Sequence, residues 1–428
     1  MKKLFLVCLT AFVLSSCFKQ TPVLQSEVLS IAVPSSVGLA ETRLDRIDSM
    51  LTYAVSENKI PGAVALIARH GKIVYYKAFG MADNTSKTNM ELDHIFRIAS
   101  QSKAITSTAV MMLWEEGKFN LDDPISKYIP EFGDAQLLES FNEADSSYTT
   151  KPANNQITIR NLLTHTSGIG YGQIDSDVRF KKLYAKAGIV DLFTTEDVAI
   201  ADNIKKLAKL PLHHNPGEKF TYSEGLDVLG YFVEIMSGMP FDEFLKTRIF
   251  EPLNMHDTQF YLPESKYERL VTVQTKEGNE WIKYPVTFYD TDYPKTGAKR
   301  FFSGGAGLSS TAKDYATFLQ MYLNKGELNG VRLLSRTTVE TILTNQIPYI
   351  SENIEMSHGL AFALVDKKKH DLGGNSSEGT FEWGGYFNTQ YFADPKEDIL
   401  AVLLKQTQKV NDDTAGKFRI LVNQAIAD

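Results

Sequence analysis

Apolar positions change their spacing along the chain, and each change predicts an element. Between residues 41 and about 55, Leu44, Ile47, Leu51 and Ala54 recur every three or four positions, which predicts an amphipathic helix. Pro61-Gly62 breaks that pattern. Residues 63–69 and 72–79 are rich in β-forming side chains, and His70-Gly71 between them predicts a tight antiparallel hairpin. After Phe96-Arg97-Ile98-Ala99 the spacing turns helical over residues 100–116, with Ile105, Ala109 and Met112 inward and Gly117 as the stop. Further helices are predicted over 223–236, before Gly238, and over 311–323. The aromatic and polar stretch from about 276 to 300 has no period and reads as a long surface loop. Strand patterns return at 360–365, 379–383, 389–393 and 399–404, and a last helix covers about 415–426.

The order is strands, then helices, then strands. It predicts an α/β (α+β) fold in which both ends of the chain build one lobe, about 41–98 and 300–428. A helical lobe, about 99–299, is inserted between them as short helices and long loops. An active site belongs in the cleft between two such lobes.

The first residues read as an address. Lys2 and Lys3 precede a mostly apolar run from Leu4 to Leu14, too short to cross a bilayer as a helix. The run ends in Leu14-Ser15-Ser16-Cys17, which resembles the lipobox of bacterial lipoproteins. The alternative is an ordinary cleaved signal, but no Ala-x-Ala site is present. The resemblance implies a signal over residues 1–17, acylation of Cys17 and a mobile tether over 18–40. Phe18 rather than Asp follows the cysteine, which points to the outer membrane, facing the periplasm. Cys8 and Cys17 are the only cysteines, so the remaining chain can form no internal disulfide and use no cysteine chemistry.

The net charge of −7 and the lack of a dense basic run argue against a nucleic-acid partner. No His-Glu-x-x-His motif, phosphate-binding loop or dinucleotide fingerprint occurs.

Ser100-Gln101-Ser102-Lys103 is a Ser-x-x-Lys. The pattern also occurs at Ser16, Ser56 and Ser310, the last reading as a helix N-cap. Ser100 alone opens a long apolar helix after a strand-like run. There Lys103 lies one turn from Ser100 on the same helix face, and the helix N-terminus favours a developing oxyanion. An amine withdrawn from water can take a proton from the serine. The competing reading is a capping serine beside a surface lysine.

Three further segments stand in a fixed order after this one. They are Leu162-Leu163-Thr164-His165-Thr166-Ser167-Gly168, then Pro216-Gly217-Glu218-Lys219-Phe220-Thr221-Tyr222-Ser223, then Phe302-Ser303-Gly304-Gly305-Ala306-Gly307-Leu308 with Trp383-Gly384-Gly385 beyond it. Together the four resemble the serine β-lactamase and penicillin-binding-protein superfamily, above all its class C and esterase branch. The likeness runs from about Leu44 to the C-terminus. It implies an antiparallel sheet flanked by helices, and a serine hydrolase that works through an acyl-enzyme on Ser100 without metal or cofactor. Lys103 and Tyr222 would move protons. The Ser100 and Tyr386 amides would form the oxyanion hole, with Trp383, Gly384 and Gly385 lining the substrate site.

Two departures bear on the substrate. The family's Tyr-x-Asn is here Tyr222-Ser223-Glu224, and an ionised Glu224 can pair with Lys103 but cannot donate to an amide. In place of the family's Lys-Thr-Gly stands Trp383-Gly384-Gly385, as in the esterases. The literal Lys295-Thr296-Gly297 comes before the glycine segment and outside any predicted strand. An aromatic where the family places a cation favours neutral acyl groups. The reading is a carboxylesterase acting on a small acyl substrate. A β-lactamase or D-amino-acid peptidase, acyl transfer to another acceptor, and a catalytically silent binding or sensing module are the alternatives.

Overall fold

Two strands made almost wholly of apolar residues, Gly62–Arg69 and Ile399–Leu404, pair antiparallel at the centre of the fold, and every residue in both is buried. Side chains alternate across a strand. Val64, Leu66, Ala68, Leu400, Val402 and Leu404 therefore enter one core, and Ala63, Ala65, Ile67, Ile399, Ala401 and Leu403 enter another. The computed structural model describes residues 29–350, 356–373 and 376–428. The expected signal with Cys17, and residues 18–28 of the expected tether, lie outside the described residues.

Among the described residues the main sheet runs in the order Ser30–Ile31, Lys72–Asp83, Gly62–Arg69, Ile399–Leu404, Thr389–Asp394, Phe381–Gly385, Ala363–Leu364, Ser357–His358. Thr88–Asn89 adds to Lys72–Asp83. The pairings are antiparallel except at Ser30–Ile31, which makes the sheet mixed. The predicted hairpin turns at His70 and Gly71, whose φ values of 51° and 69° give the left-handed pair that a two-residue turn requires. Residues 29–40 are not a free tether. The sheet edge at Lys72 captures Ser30–Ile31, and Leu29, Val37 and Leu39 are buried.

The helices Glu41–Ser56 and Thr414–Gln424 cover one face of the sheet and pack on each other. Ala312–Leu323 covers the other face, with Thr311 rather than Ser310 as its N-cap. Further in lies Ser102–Glu115, buried from Ser102 to Leu113, packed against Gly225–Ser237. The inserted lobe is not only helical. It carries the hairpins Gln136–Phe141/Tyr148–Pro152 and Gln274–Glu277/Glu280–Lys283. The expected surface loop at 276–300 is packed. Trp281, Tyr284, Tyr289 and Tyr293 are buried, the last three in an aromatic cluster with Phe193 and Phe387. Its lack of period reflects short elements joined by irregular backbone, with Pro285, Val286, Thr287 and Phe288 forming an exposed tip between buried aromatics.

Candidate active site

Ser100 owes its position to a strained turn. Phe96–Arg97 pairs antiparallel with Ser309–Ser310. The buried Arg97 guanidinium ties the turn down by donating to the carbonyls of Val271 (2.7 Å) and Thr291 (2.6 Å). Ala99 then takes φ 43°, a left-handed value uncommon for a side chain with Cβ. A 3-10 turn over Ala99–Gln101 follows before the α-helix starts at Ser102, two residues later than the pattern predicts. Gln101, Ser102 and Lys103 go inward while Ser100 remains half-buried at the helix tip.

Tyr222 reaches this tip from the inserted lobe, and its phenol donates to Ser100 Oγ at 2.7 Å. Lys103 is 1% exposed and sits 4.5 Å above the Tyr222 ring centroid, a cation–π contact. Its hydrogen bonds run to Tyr171 Oη (3.0 Å) and the Gly305 carbonyl (2.8 Å) rather than to Ser100. The phenol thus touches both the hydroxyl and the amine, bringing together groups from two distant sequence segments.

The second segment holds the third. Thr221 N–H donates to the His165 carbonyl and Gly217 N–H to the Thr166 carbonyl, both at 2.8 Å. His165 Nδ1 accepts from the Ser223 amide (3.2 Å) and lies 3.0 Å from Ser223 Oγ, with the imidazole 4.7 Å from the Tyr222 ring centroid. Burial, the neighbouring His358 and the Lys103 charge keep His165 well below the usual histidine range, and burial alone pushes His358 down to about 3. Both serve as packing groups, His165 against Tyr222 and His358 against Phe220 and Trp383.

Behind Lys103 lies a buried acidic group that the motifs do not disclose. Asp227 accepts from Ser303 Oγ and from the Gly305 amide (3.2 Å); burial raises its pKa and the Lys103 charge opposes the rise. Glu224 is 1% exposed, and burial and the neighbouring Asp191 lift it well above the ordinary carboxyl range. Its carboxyl is thus biased toward the neutral form, and among the described residues it makes no ion pair with Lys103, unlike the ionised partner that the sequence suggests. It also does not line the substrate cleft.

That cleft has a volume of about 810 Å³, and Ser100, Tyr222, Trp383, Gly384, Gly385 and Tyr386 lie in its wall. The Trp383 and Tyr222 ring centroids are 5.8 Å apart. Gly385 must be glycine: a Cβ would collide with the Ile98 carbonyl and Thr389 Oγ1, so the strand end packs directly on the Ser100 turn. At its far end the cavity meets Glu382, paired with Lys369 (2.8 Å) and Arg419. Lys295 lies elsewhere, in the short helix Tyr293–Thr296, its amine over the Tyr267 ring at 5.5 Å.

A family model described as Beta-lactamase matches residues 47–425. The chain belongs to the beta-lactamase family. Within it, Esterase EstB of Burkholderia gladioli is 30% identical over 399 residues, covering 89% of this chain and 94% of EstB. Lovastatin esterase of Penicillium rubens is 27% identical over 383 residues, covering 83% of this chain and 91% of the relative. Among solved structures, EstCE1, described as a hydrolase with promiscuous acyltransferase activity, superposes with a TM-score of 0.76 at 26% identity, covering 91% of this chain and 99% of EstCE1. This beta-lactamase-family chain is a serine hydrolase with esterases among its relatives.

Tyr171, Asp191 and Asp227 escaped the sequence reading. Two of them left a trace. Asp227 is an acid in the first turn of an otherwise apolar helix, and Tyr171 is an aromatic between two glycines. Asp191 left none, because its role depends on a contact across the fold.

Proposed function

We propose that the protein hydrolyses esters of neutral acyl groups through an acyl-enzyme on Ser100. The observation that supports this most is the 2.7 Å contact between Tyr222 Oη and Ser100 Oγ, with Lys103 over the same ring. Within hydrogen-bond reach of Oγ, the Tyr222 oxygen serves as the general base, taking the Ser100 proton as Oγ attacks the ester carbonyl. The oxyanion turns toward the Ser100 and Tyr386 amides. Tyr222 then protonates the departing alkoxide, and later takes a proton from the water that frees the acyl group. Trp383, Tyr386 and Ile174 give the cleft wall near Ser100 an aromatic and aliphatic character that suits an uncharged acyl chain.

The test is a panel of p-nitrophenyl butyrate, nitrocefin and D-Ala-D-Ala peptide on the chain from residue 29 onward, beside fluorophosphonate labelling. The expected result is ester turnover above the other two, with a label on Ser100 that Ser100→Ala loses. Absence of both turnover and label would favour the silent binding module.

We further propose that Cys17 is acylated and holds the enzyme on the outer membrane, facing the periplasm. Leu14-Ser15-Ser16-Cys17 supports this. An alkyne-palmitate label carried by the full chain and lost in Cys17→Ala tests it, and a label that persists in the variant would overturn it.

A further inference from the structure

Glu224 stands two residues after Tyr222, fully enclosed, with Oε1 unpartnered among the described residues. Its backbone N–H donates to the Gly170 carbonyl at 3.1 Å, so its main chain is bound to the segment that carries Tyr171. The same segment is held from the other side by Asp191, 5% exposed, whose carboxylate accepts from the amides of Gly172 (3.1 Å) and Gln173. The fit is close, since a Cβ on Gly172 would come within 2.8 Å of Asp191 Oδ2. One residue earlier, Tyr171 Oη receives the Lys103 hydrogen bond.

We infer that Glu224 is a positioning residue: its carboxyl O–H donates to Asp191, and Asp191 in turn clamps loop 170–173 so that Tyr171 meets Lys103. This rests on Lys103 and Tyr222 being the proton-moving pair. The groups facing Glu224 are Asp191, Asp227, Tyr171, Tyr184 and Lys103. Three acids and two phenols gather around a single ammonium. If Glu224 lost its proton it would place a second buried anion against Asp191, and like charges at that range in a low dielectric repel strongly. Burial and Asp191 accordingly raise Glu224 well above its ordinary value of 4.5. The residue therefore contributes a donor, not a charge, and Tyr171 keeps Lys103 aligned under the Tyr222 ring.

Glu224→Gln and Glu224→Leu separate donor from charge. The Gln amide N–H can donate to Asp191, whereas Leu leaves Asp191 without it. The expected result with p-nitrophenyl butyrate is a kcat for Glu224→Gln comparable to wild type, and one for Glu224→Leu lower by roughly 10²-fold with KM changing far less. A second reading needs no substrate. An acid with a raised folded pKa contributes stability that is complete below its unfolded value and fades as pH rises through the folded one. The wild-type Tm should therefore fall relative to Glu224→Gln as pH rises above the ordinary glutamate value of 4.5. Equal losses in the two variants, an unaltered kcat in Glu224→Leu, or a constant Tm difference would overturn the inference. If Glu224→Leu does not fold, the Tm difference decides. If the wild type cleaves no ester, the proposed function fails, while the Tm comparison still reads the Glu224–Asp191 contact.

Discussion

Tyr222→Phe removes one oxygen from the site and little else. The ring keeps its neighbours: His165 at 4.7 Å, Tyr171 at 5.4 Å and Trp383 at 5.8 Å between centroids. The lost contact is one hydrogen bond to Ser100 Oγ, worth about 1 kcal/mol of stability. The lost chemistry is larger. A positioned acid–base group contributes about 10²- to 10⁴-fold, or about 2.7 to 5.4 kcal/mol of transition-state stabilisation. The variant should thus keep its Tm within a few degrees while kcat/KM on p-nitrophenyl butyrate falls by at least about a hundredfold. Stopped-flow release of nitrophenol separates the steps. Because Tyr222 serves both acylation and deacylation, the variant should show no rapid burst. A burst of normal rate followed by slow turnover would restrict Tyr222 to the second step. Near-normal kcat/KM would remove it from the mechanism, and another group would have to take the serine proton.

Three other substitutions probe the surroundings. Lys295→Ala should leave ester hydrolysis nearly unchanged, because its amine lies over Tyr267 and outside the cleft; a large loss would show that the other Lys-Thr-Gly element binds substrate. Gly385→Ala drives a methyl into the Ile98 carbonyl just before the nucleophile. It should cost about 1–3 kcal/mol of stability together with fluorophosphonate labelling, and wild-type values of both would refute the proposed packing. Asp314 is raised by burial from 3.8 to about 6, so its contribution is complete below pH 3.8 and lost as pH rises through 6. In urea unfolding, the wild type should therefore lose about 3 kcal/mol relative to Asp314→Asn between those limits, and a flat difference would refute it.

The elements that the chain announced were those whose spacing is set by burial on a regular surface. The 399–404 strand and the helix from Glu41 came out at or within a residue of their bounds because the strand is buried on both faces and every third or fourth helix side chain had to be apolar. Residues 276–300 misled because Tyr284 and Tyr289 fill space from irregular backbone, where no period exists to be read, and Trp281 does so from a strand too short to show one. Residues 29–40 misled because Ser30–Ile31 finds its partner only once Lys72–Asp83 has formed an edge. In the site, Ser100, Lys103 and Tyr222 were legible through motif order. Tyr171 and Asp191 act through single long-range contacts, which no local pattern encodes. Glu224 was legible as an anomaly, but its charge state was not, since that depends on enclosure and on Asp191.

The central strands divide two apolar compartments. Ser100, Lys103, Tyr171, Tyr222 and Trp383 stand outside the one under the Glu41–Ser56 and Thr414–Gln424 helices, although its Ala401, Leu403 and Phe418 line the same cleft as Ser100. Anyone seeking a hardier enzyme has a natural workspace there. Stabilising substitutions around Ala54, Ala65 and Val422, none of which lines the cleft, can raise thermal tolerance while the catalytic lobe keeps its geometry. The opposite compartment offers no such freedom, because Ser102–Glu115, the helix that carries Lys103, is packed into it.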